Sequence, residues 1–307
     1  MSTTTTQTTE SVPSTLKVES KHHEGFEQVA EGVSNITFGG DDLAYPYRKP
    51  EFKDKYEERK WVLEHTAAAF RYLARFNYQE GASGHISVRD PVDPHTFWIN
   101  PLGRHFGLMR AKDLVHINEK GEVIGGNKHV VNAAGFQIHS EIHQARPDVN
   151  AAVHSHSIYG KAYSAFGKPL EMLNQDSTLF YKSHTVYNTF GGVVFENEEG
   201  KRLAKALGDN RCIILQNHGL LTTGSTVDEA AYLFGLMERT CQVQMIADQH
   251  PETKILIDEE EATYTAHMIA DPESVHAEFA PEYEWELETS NGAFLFKDES
   301  YKTDAFW

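Results

Sequence analysis

The chain has 307 residues, 40% of them apolar and 11% aromatic, and a formal charge of −17. The apolar share allows one large core or two modest ones, while the acidic balance excludes nucleic acid and anionic membrane as main partners, because both need a basic footprint. Cys212 and Cys241 have no metal-type spacing and read as reduced core thiols; with no signal-peptide pattern and no apolar run near the ~20 residues of a membrane span, a cytoplasmic protein is expected.

Residues 1–45, rich in Ser, Thr, Glu and Gly, read as a disordered tail. After Glu51 the spacing of Val62, Ala69, Leu73 and Phe76 predicts a helix. It stops before the loop Gly81-Ala82-Ser83-Gly84, which leads into a strand at Ile86-Ser87-Val88. Strands are then expected at Thr96–Ile99, Leu114–Ile117 and Glu122–Ile124, the last two joined by the turn Asn118–Gly121. Asn132 reads as the N-cap of a helix whose buried stripe would be Ala134, Ile138, Ile142 and Ala145. Asp148–His156 reads as a strand, Asn188–Gly192 as a glycine-bearing loop, and Glu196–Leu207 as a helix. Cys212–Leu215 is a fully buried strand, and Thr226–Glu229 is a capping box that opens a helix to about Asp248. Beyond Pro251 the chain is acidic, with a helix around Pro272–Phe279 and an apolar clasp at Phe294–Phe296.

Strands alternating with helices, plus hairpin signals, predict one three-layer α/β/α domain with a mixed sheet. It would span residues 46–250, with 251–307 as an acidic extension packing on it. No G-x-G-x-x-G follows a strand, which disfavours a dinucleotide-binding fold.

The chemistry concentrates at His154-Ser155-His156 and at Gln216-Asn217-His218-Gly219. Histidines at alternate strand positions share a face, about 6.5–7 Å apart, and can converge on one cation. A third histidine from a neighbouring strand end would complete a three-histidine site with an open position, the layout of catalytic zinc. His139 and His143 are also spaced to bind metal, but the H-E-x-x-H form is absent and a structural role is expected. Glu141 reads as a solvated surface residue. The Gly81–Gly84 loop would either turn tightly or offer N–H groups to an anion. No G-x-S-x-G elbow supports a serine hydrolase.

The stretch Ala145-Arg146-Pro147-Asp148-Val149-Asn150-Ala151-Ala152-Val153-His154-Ser155-His156 resembles a signature of the class II aldolase/adducin family. Gln216-Asn217-His218-Gly219-Leu220 is similar to a second signature, and Gly81–Ser87 to a third, so the resemblance covers about residues 55–250. It implies a class II aldolase-like fold with a largely antiparallel sheet, a homotetramer acting on a small molecule, and a divalent metal held by His154, His156 and His218. Zinc is the expected ion, with manganese or iron as alternatives. Adducin headpieces lack this histidine set.

The departures from that pattern are informative. The acid/base glutamate of the sugar-phosphate aldolases falls at Gly135, and their two phosphate-binding hydroxyl residues fall at Ala133 and Ala134. The asparagine of the glycine loop, another phosphate contact, is His85. The substrate pocket would be framed by Gly84, His85 and Gly135. Glycine early in a helix costs about 1 kcal/mol relative to alanine, so either the added space has a use, such as room for a larger substrate, or the site has drifted. The expected function is a metal-dependent lyase, by retro-aldol cleavage or decarboxylation of an unphosphorylated hydroxy or keto compound through a metal-stabilised enolate. His85 and Tyr159 are the candidate proton donors, and a silent adducin-like metal-binding scaffold is the alternative.

Overall fold

The computed structural model describes residues 47–190 and 197–307; the expected tail and residues 191–192 of the glycine-bearing loop lie outside them. Helix α1 (Lys55–Arg75) is opened by Asp54, whose carboxylate accepts the Tyr56 N–H, and it buries Leu63, Ala67, Phe70 and Leu73 along one face. Phe76 is its exposed C-cap and not part of that stripe. Strands β1 (His85–Arg89), β2 (Thr96–Ile99), β3 (Val115–Asn118) and β4 (Val123–Gly126) follow, then α2 (Ala133–Ala145), β5 (Ala151–Ser155) and α3 (Ile158–Ser164). Next come β6 (His184–Tyr187), α4 (Asn197–Leu207), β7 (Cys212–Leu215), β8 (Gly219–Gly224) and α5 (Val227–Ala247). Three helices end the chain: α6 (Glu259–Ile269), α7 (Pro272–Glu278) and α8 (Ala280–Thr289).

The strands form one mixed sheet in the order β4-β3-β2-β1-β5-β8-β7-β6, antiparallel except for the β6–β7 pair. Alternation along each strand sorts side chains between two helical layers. On β7, Cys212 and Ile214 enter a core with Phe70 of α1 and Phe234 and Met237 of α5. Ile213 and Leu215 point the other way, against Ile138 and Ile142 of α2 and Leu203 and Leu207 of α4. The same rule on β5 sends Ala151 and Val153 into the first core, so His154 projects toward the α2 layer.

Helix α2 buries more than the expected stripe: Ala145 is exposed and Ala134 half-buried, whereas Gly135, Phe136, His139, Ser140 and His143 are buried. The helix is wedged between the sheet and α4, and Phe136 turns into a third cluster with Phe97, Ile99 and Ile117. The capping box at α5 is half formed. Thr226 Oγ1 accepts the Glu229 N–H, but the Glu229 carboxylate accepts from the N–H and hydroxyl of Ser225. Strand β5 ends at Ser155, leaving His156 one residue beyond it.

The C-terminal segment packs on this frame. Helix α7 lies against α5 and α8 against α1, and Phe294 and Phe296 join the main core. The final residues run beside β4, with Gly126 N–H donating to Ala305 O and Trp307 N–H to Gly126 O, both at 3.1 Å. They cover an edge that would otherwise present unpaired backbone groups.

Candidate metal centre and its cavity

Three elements deliver three imidazoles to one place. His154 comes from β5, His156 follows that strand, and His218 sits in the turn between β7 and β8. That turn is closed by the His218 N–H donating to Leu215 O at 2.9 Å, with Asn217 at φ +59°, a left-handed conformation asparagine tolerates better than most residues. One ring nitrogen from each histidine lies within 4.8 Å of the others, and His156 Nε2 and His218 Nε2 are 3.1 Å apart. Nitrogens bound to one tetrahedral zinc at 2.0–2.1 Å are about 3.3–3.4 Å apart, so small side-chain adjustments convert the cluster into a ligand set.

The protonation states suit that use. His154 Nδ1 is 2.7 Å from Leu220 O; a carbonyl can only accept, so the proton sits on Nδ1 and Nε2 presents a lone pair. Burial, and then the neighbouring His218, holds His154 well below the usual histidine range. Burial followed by His156 pushes His218 down to about 4, and burial followed by the charge of Lys161 lowers His156. All three are neutral at neutral pH, the form that coordinates.

Asp90, His116 and Asp304 make a second cluster of metal-binding residue types. A cation already occupies it: the Arg59 guanidinium is 2.6 Å from Asp90 and 2.8 Å from Asp304. That cluster fastens the C-terminal segment to the sheet.

The three histidines open onto a cavity of about 460 Å³. Gly84, His85 and Gly135, the residues expected to frame a pocket, all line it, together with Ile138, Lys161 and Phe190. Gly84 has φ +97°, and a β-carbon there would lie 2.9 Å from Ser155 Oγ, so only glycine lets the loop approach the ligand strand this closely. Ala134 is on the cavity wall, whereas Ala133 is exposed. Tyr159 is not on the wall; it packs against the main core and its N–H donates to Glu238.

The space expected at Gly135 is not free for substrate. A β-carbon there would come within 2.2 Å of Cε1 and Nε2 of His85, so the glycine accommodates an imidazole from β1. Register puts His85 directly beside His154, with the rings 5.5 Å apart and 23° from parallel. Behind it, His139 meets His85 edge-on at 5.4 Å. Ser87 Oγ lies 2.7 Å from His139 Nδ1 and 2.8 Å from His143 Nε2, and His143 Nδ1 lies 3.1 Å from Val149 O. The Val149 carbonyl fixes a proton on His143 Nδ1, so Ser87 donates to His143 Nε2 and accepts from His139 Nδ1. His139 Nε2 and His85 Nδ1 are buried without a hydrogen-bond partner. The His139–His143 pair therefore takes a structural place under the cavity and does not join the triad.

Two residues were not singled out by sequence reasoning. Lys161 carried no signal in motif or spacing. Glu238 had one signal, an acid within the apolar run of α5; it is buried and accepts from the backbone N–H groups of Tyr159 and Gly160 and from the Ser157 hydroxyl.

Residues 64–245 match the Class II Aldolase and Adducin N-terminal domain family. The chain is 55% identical over 199 residues to the meiotically up-regulated gene 14 protein of Schizosaccharomyces pombe, covering 65% of this chain and 77% of that one. It is 40% identical over 223 residues to the decarboxylase NovR of Streptomyces niveus, covering 72% of this chain and 80% of that one. An L-fuculose 1-phosphate aldolase from Glaciozyma antarctica PI12 superposes with a TM-score of 0.75 at 40% identity, over 81% of this chain and 98% of its own.

Proposed function

The chain belongs to the class II aldolase and adducin family, whose enzymes generally use a divalent metal, and from that premise we propose that it is a metal-dependent carbon–carbon lyase favouring decarboxylation of an unphosphorylated keto or hydroxy acid. The observation that carries this reading is the convergence of His154, His156 and His218, with the His154 Nδ1 proton committed to Leu220 O and its other nitrogen turned to the cluster. Zinc suits three neutral imidazoles with an open position; manganese and iron are the alternatives. A bound ion there supplies Lewis acidity toward carbonyl and carboxylate oxygens.

This chain's own residues decide which lyase chemistry fits. Loss of carbon dioxide from a β-keto acid, or from another acid whose carbanion is delocalised onto a carbonyl, leaves an enolate without any base removing a proton. Retro-aldol cleavage needs a base for the hydroxyl proton. The position of the aldolase glutamate is Gly135, roofed by His85, a histidine that burial keeps neutral. Among the described residues, the proton that replaces the carboxyl group has one titratable carrier on the wall besides the triad and Lys161, namely His85. The match to a protein named as a decarboxylase supports the same choice. Ala133, Ala134 and His85 supply none of the hydroxyl or amide groups that bind phosphate in the sugar-phosphate aldolases. The assembly we propose is a homotetramer in the cytoplasm; among the described residues no helix is long and apolar enough to cross a membrane.

The test is elemental analysis of protein purified without added metal, followed by carbon dioxide release from a panel of keto acids. About one zinc, manganese or iron per chain, lost in His218→Ala together with turnover, is the expected result. A metal-free wild type that folds normally would favour an adducin-like scaffold and sink the lyase reading.

A further inference from the structure

We infer that Lys161 is the carboxylate-binding residue of this cavity, held in reserve by Glu80 until substrate arrives. The wall is unlike the rest of the molecule. The chain carries a formal charge of −17, yet among the described residues no aspartate or glutamate lines the cavity, and Lys161 is the one lysine or arginine that does. A wall whose one ammonium group has no carboxylate beside it among the described lining residues, in a protein this acidic, is built for an anion.

The lysine is placed by rigid parts. Helix α3 begins two residues after His156, and its start is pinned by the buried Glu238 carboxylate, which takes the Tyr159 N–H at 2.8 Å as well as those of Gly160 and the Ser157 hydroxyl. The Lys161 N–H closes the first turn onto Ser157 O at 2.9 Å. His156 and Lys161 thus belong to one short, fixed stretch.

The present partner of Lys161 is exchangeable. Glu80 Oε2 is 2.7 Å from Lys161 Nζ, but the two side chains are 59% and 38% exposed. An ion pair this wet is only weakly stabilising, so a carboxylate that also reaches the triad displaces Glu80 readily. Ala134, Ile138 and Phe190 make another part of the wall apolar. The ligand class that matches is a keto acid with an apolar side chain, its carboxylate on Lys161. The keto oxygen's place beside the triad rests on the metal-dependent reading above; the Lys161 contact does not.

The experiment is calorimetric binding of phenylpyruvate and of its methyl ester to the zinc-loaded full chain, with zinc content measured on each sample. The comparison is among wild type, Lys161→Met, Lys161→Arg and Glu80→Gln. A charge-assisted hydrogen bond is worth about tenfold or more in affinity. Lys161→Met is therefore expected to weaken the acid at least that much, Lys161→Arg to restore most of it, and Glu80→Gln to tighten it. The ester should bind weakly and alike to all four. No binding of the acid to the wild type, equal binding of acid and ester, or unchanged affinity in Lys161→Met would each overturn the assignment. Zinc retained and the lysine effect present, with no carbon dioxide released from β-keto acids with apolar side chains, would remove the lyase reading and leave the carboxylate site standing.

Discussion

The imidazole of His85 fills the volume above Gly135 so completely that a β-carbon at residue 135 would lie 2.2 Å from two of its ring atoms. Two departures from the aldolase pattern, on different elements, are thereby one structural event. The glycine of α2 exists to seat the histidine of β1, and a substitution at either position reads out the other.

That coupling has a sign. In a helix, Gly→Ala alone should stabilise by about 1 kcal/mol, and Gly135 has no left-handed φ to penalise it. In the wild-type background the new methyl group must displace a buried ring, an overpacking that costs about 1–3 kcal/mol. Gly135→Ala is therefore expected to destabilise the wild type but to stabilise His85→Ala. Denaturant unfolding of the four proteins in this double-mutant cycle measures it, and the same sign in both backgrounds would refute the coupling.

The buried pair below His85 sets a pH dependence. Burial pushes His139 and His143 down to about 3 each, against about 6.5 in an unfolded chain. Above about pH 6.5 neither state binds the proton and the pair has no effect. Between about pH 6.5 and 3 the unfolded chain binds protons that the folded one refuses, so stability falls by about 1.4 kcal/mol per unit for each histidine. In urea titrations of chelator-treated protein, His143→Gln should flatten the fall between about pH 6 and 4.5 by roughly that amount. Parallel slopes for wild type and variant would show that the ring titrates normally.

How far the fold could be read from the chain depended on how local each signal was. Strand β7 was legible because Cys212–Leu215 is apolar at every position, as burial between two helical layers demands. His154, His156 and His218 were legible because two short segments carry them. Strand β6 passed unnoticed because His184–Tyr187 is a short, half-buried edge with no clean alternation. The seat of His85 on Gly135 was misread as open space, since it depends on β1–β5 register and on the placement of α2 over β1. Lys161 and Glu238 were missed for the same reason. Glu238 matters through a contact between α5 and α3, and Lys161 through the cavity that α3 borders, and no spacing along the chain encodes either.

Arg59 offers a different test, of the clasp between sheet and C-terminus. Its side chain and that of Asp90 are both 0% exposed, while Asp304, its other carboxylate partner, is 64% exposed. Removing the guanidinium leaves the Asp90 charge buried beside only His116, at 3.1 Å, and the Val92 N–H, at 2.9 Å. Loss of one partner of a buried pair costs about 3–5 kcal/mol, whereas an exposed partner contributes about 0–1 kcal/mol. Arg59→Ala should thus lower stability several-fold more than Asp304→Ala in chemical denaturation. Equal costs would mean that water reaches Asp90.

Glu238 links stability to the metal centre. Its two oxygens accept from two backbone N–H groups and one hydroxyl at the start of α3. In Glu238→Gln one oxygen becomes an NH2 group. The Ser157 hydroxyl can turn round and accept from it, but a backbone N–H cannot, so one buried donor loses its acceptor at a cost of about 1–3 kcal/mol. Because α3 starts two residues after His156, the loosened turn frees a proposed ligand as well as the fold. Zinc affinity, measured by competition with a chelator, should fall in Glu238→Gln, while Ser157→Ala, which leaves both N–H groups bonded, should keep it near wild type. If Glu238→Gln lowers the melting temperature yet binds zinc as tightly as wild type, the carboxylate supports the fold without positioning the ligand.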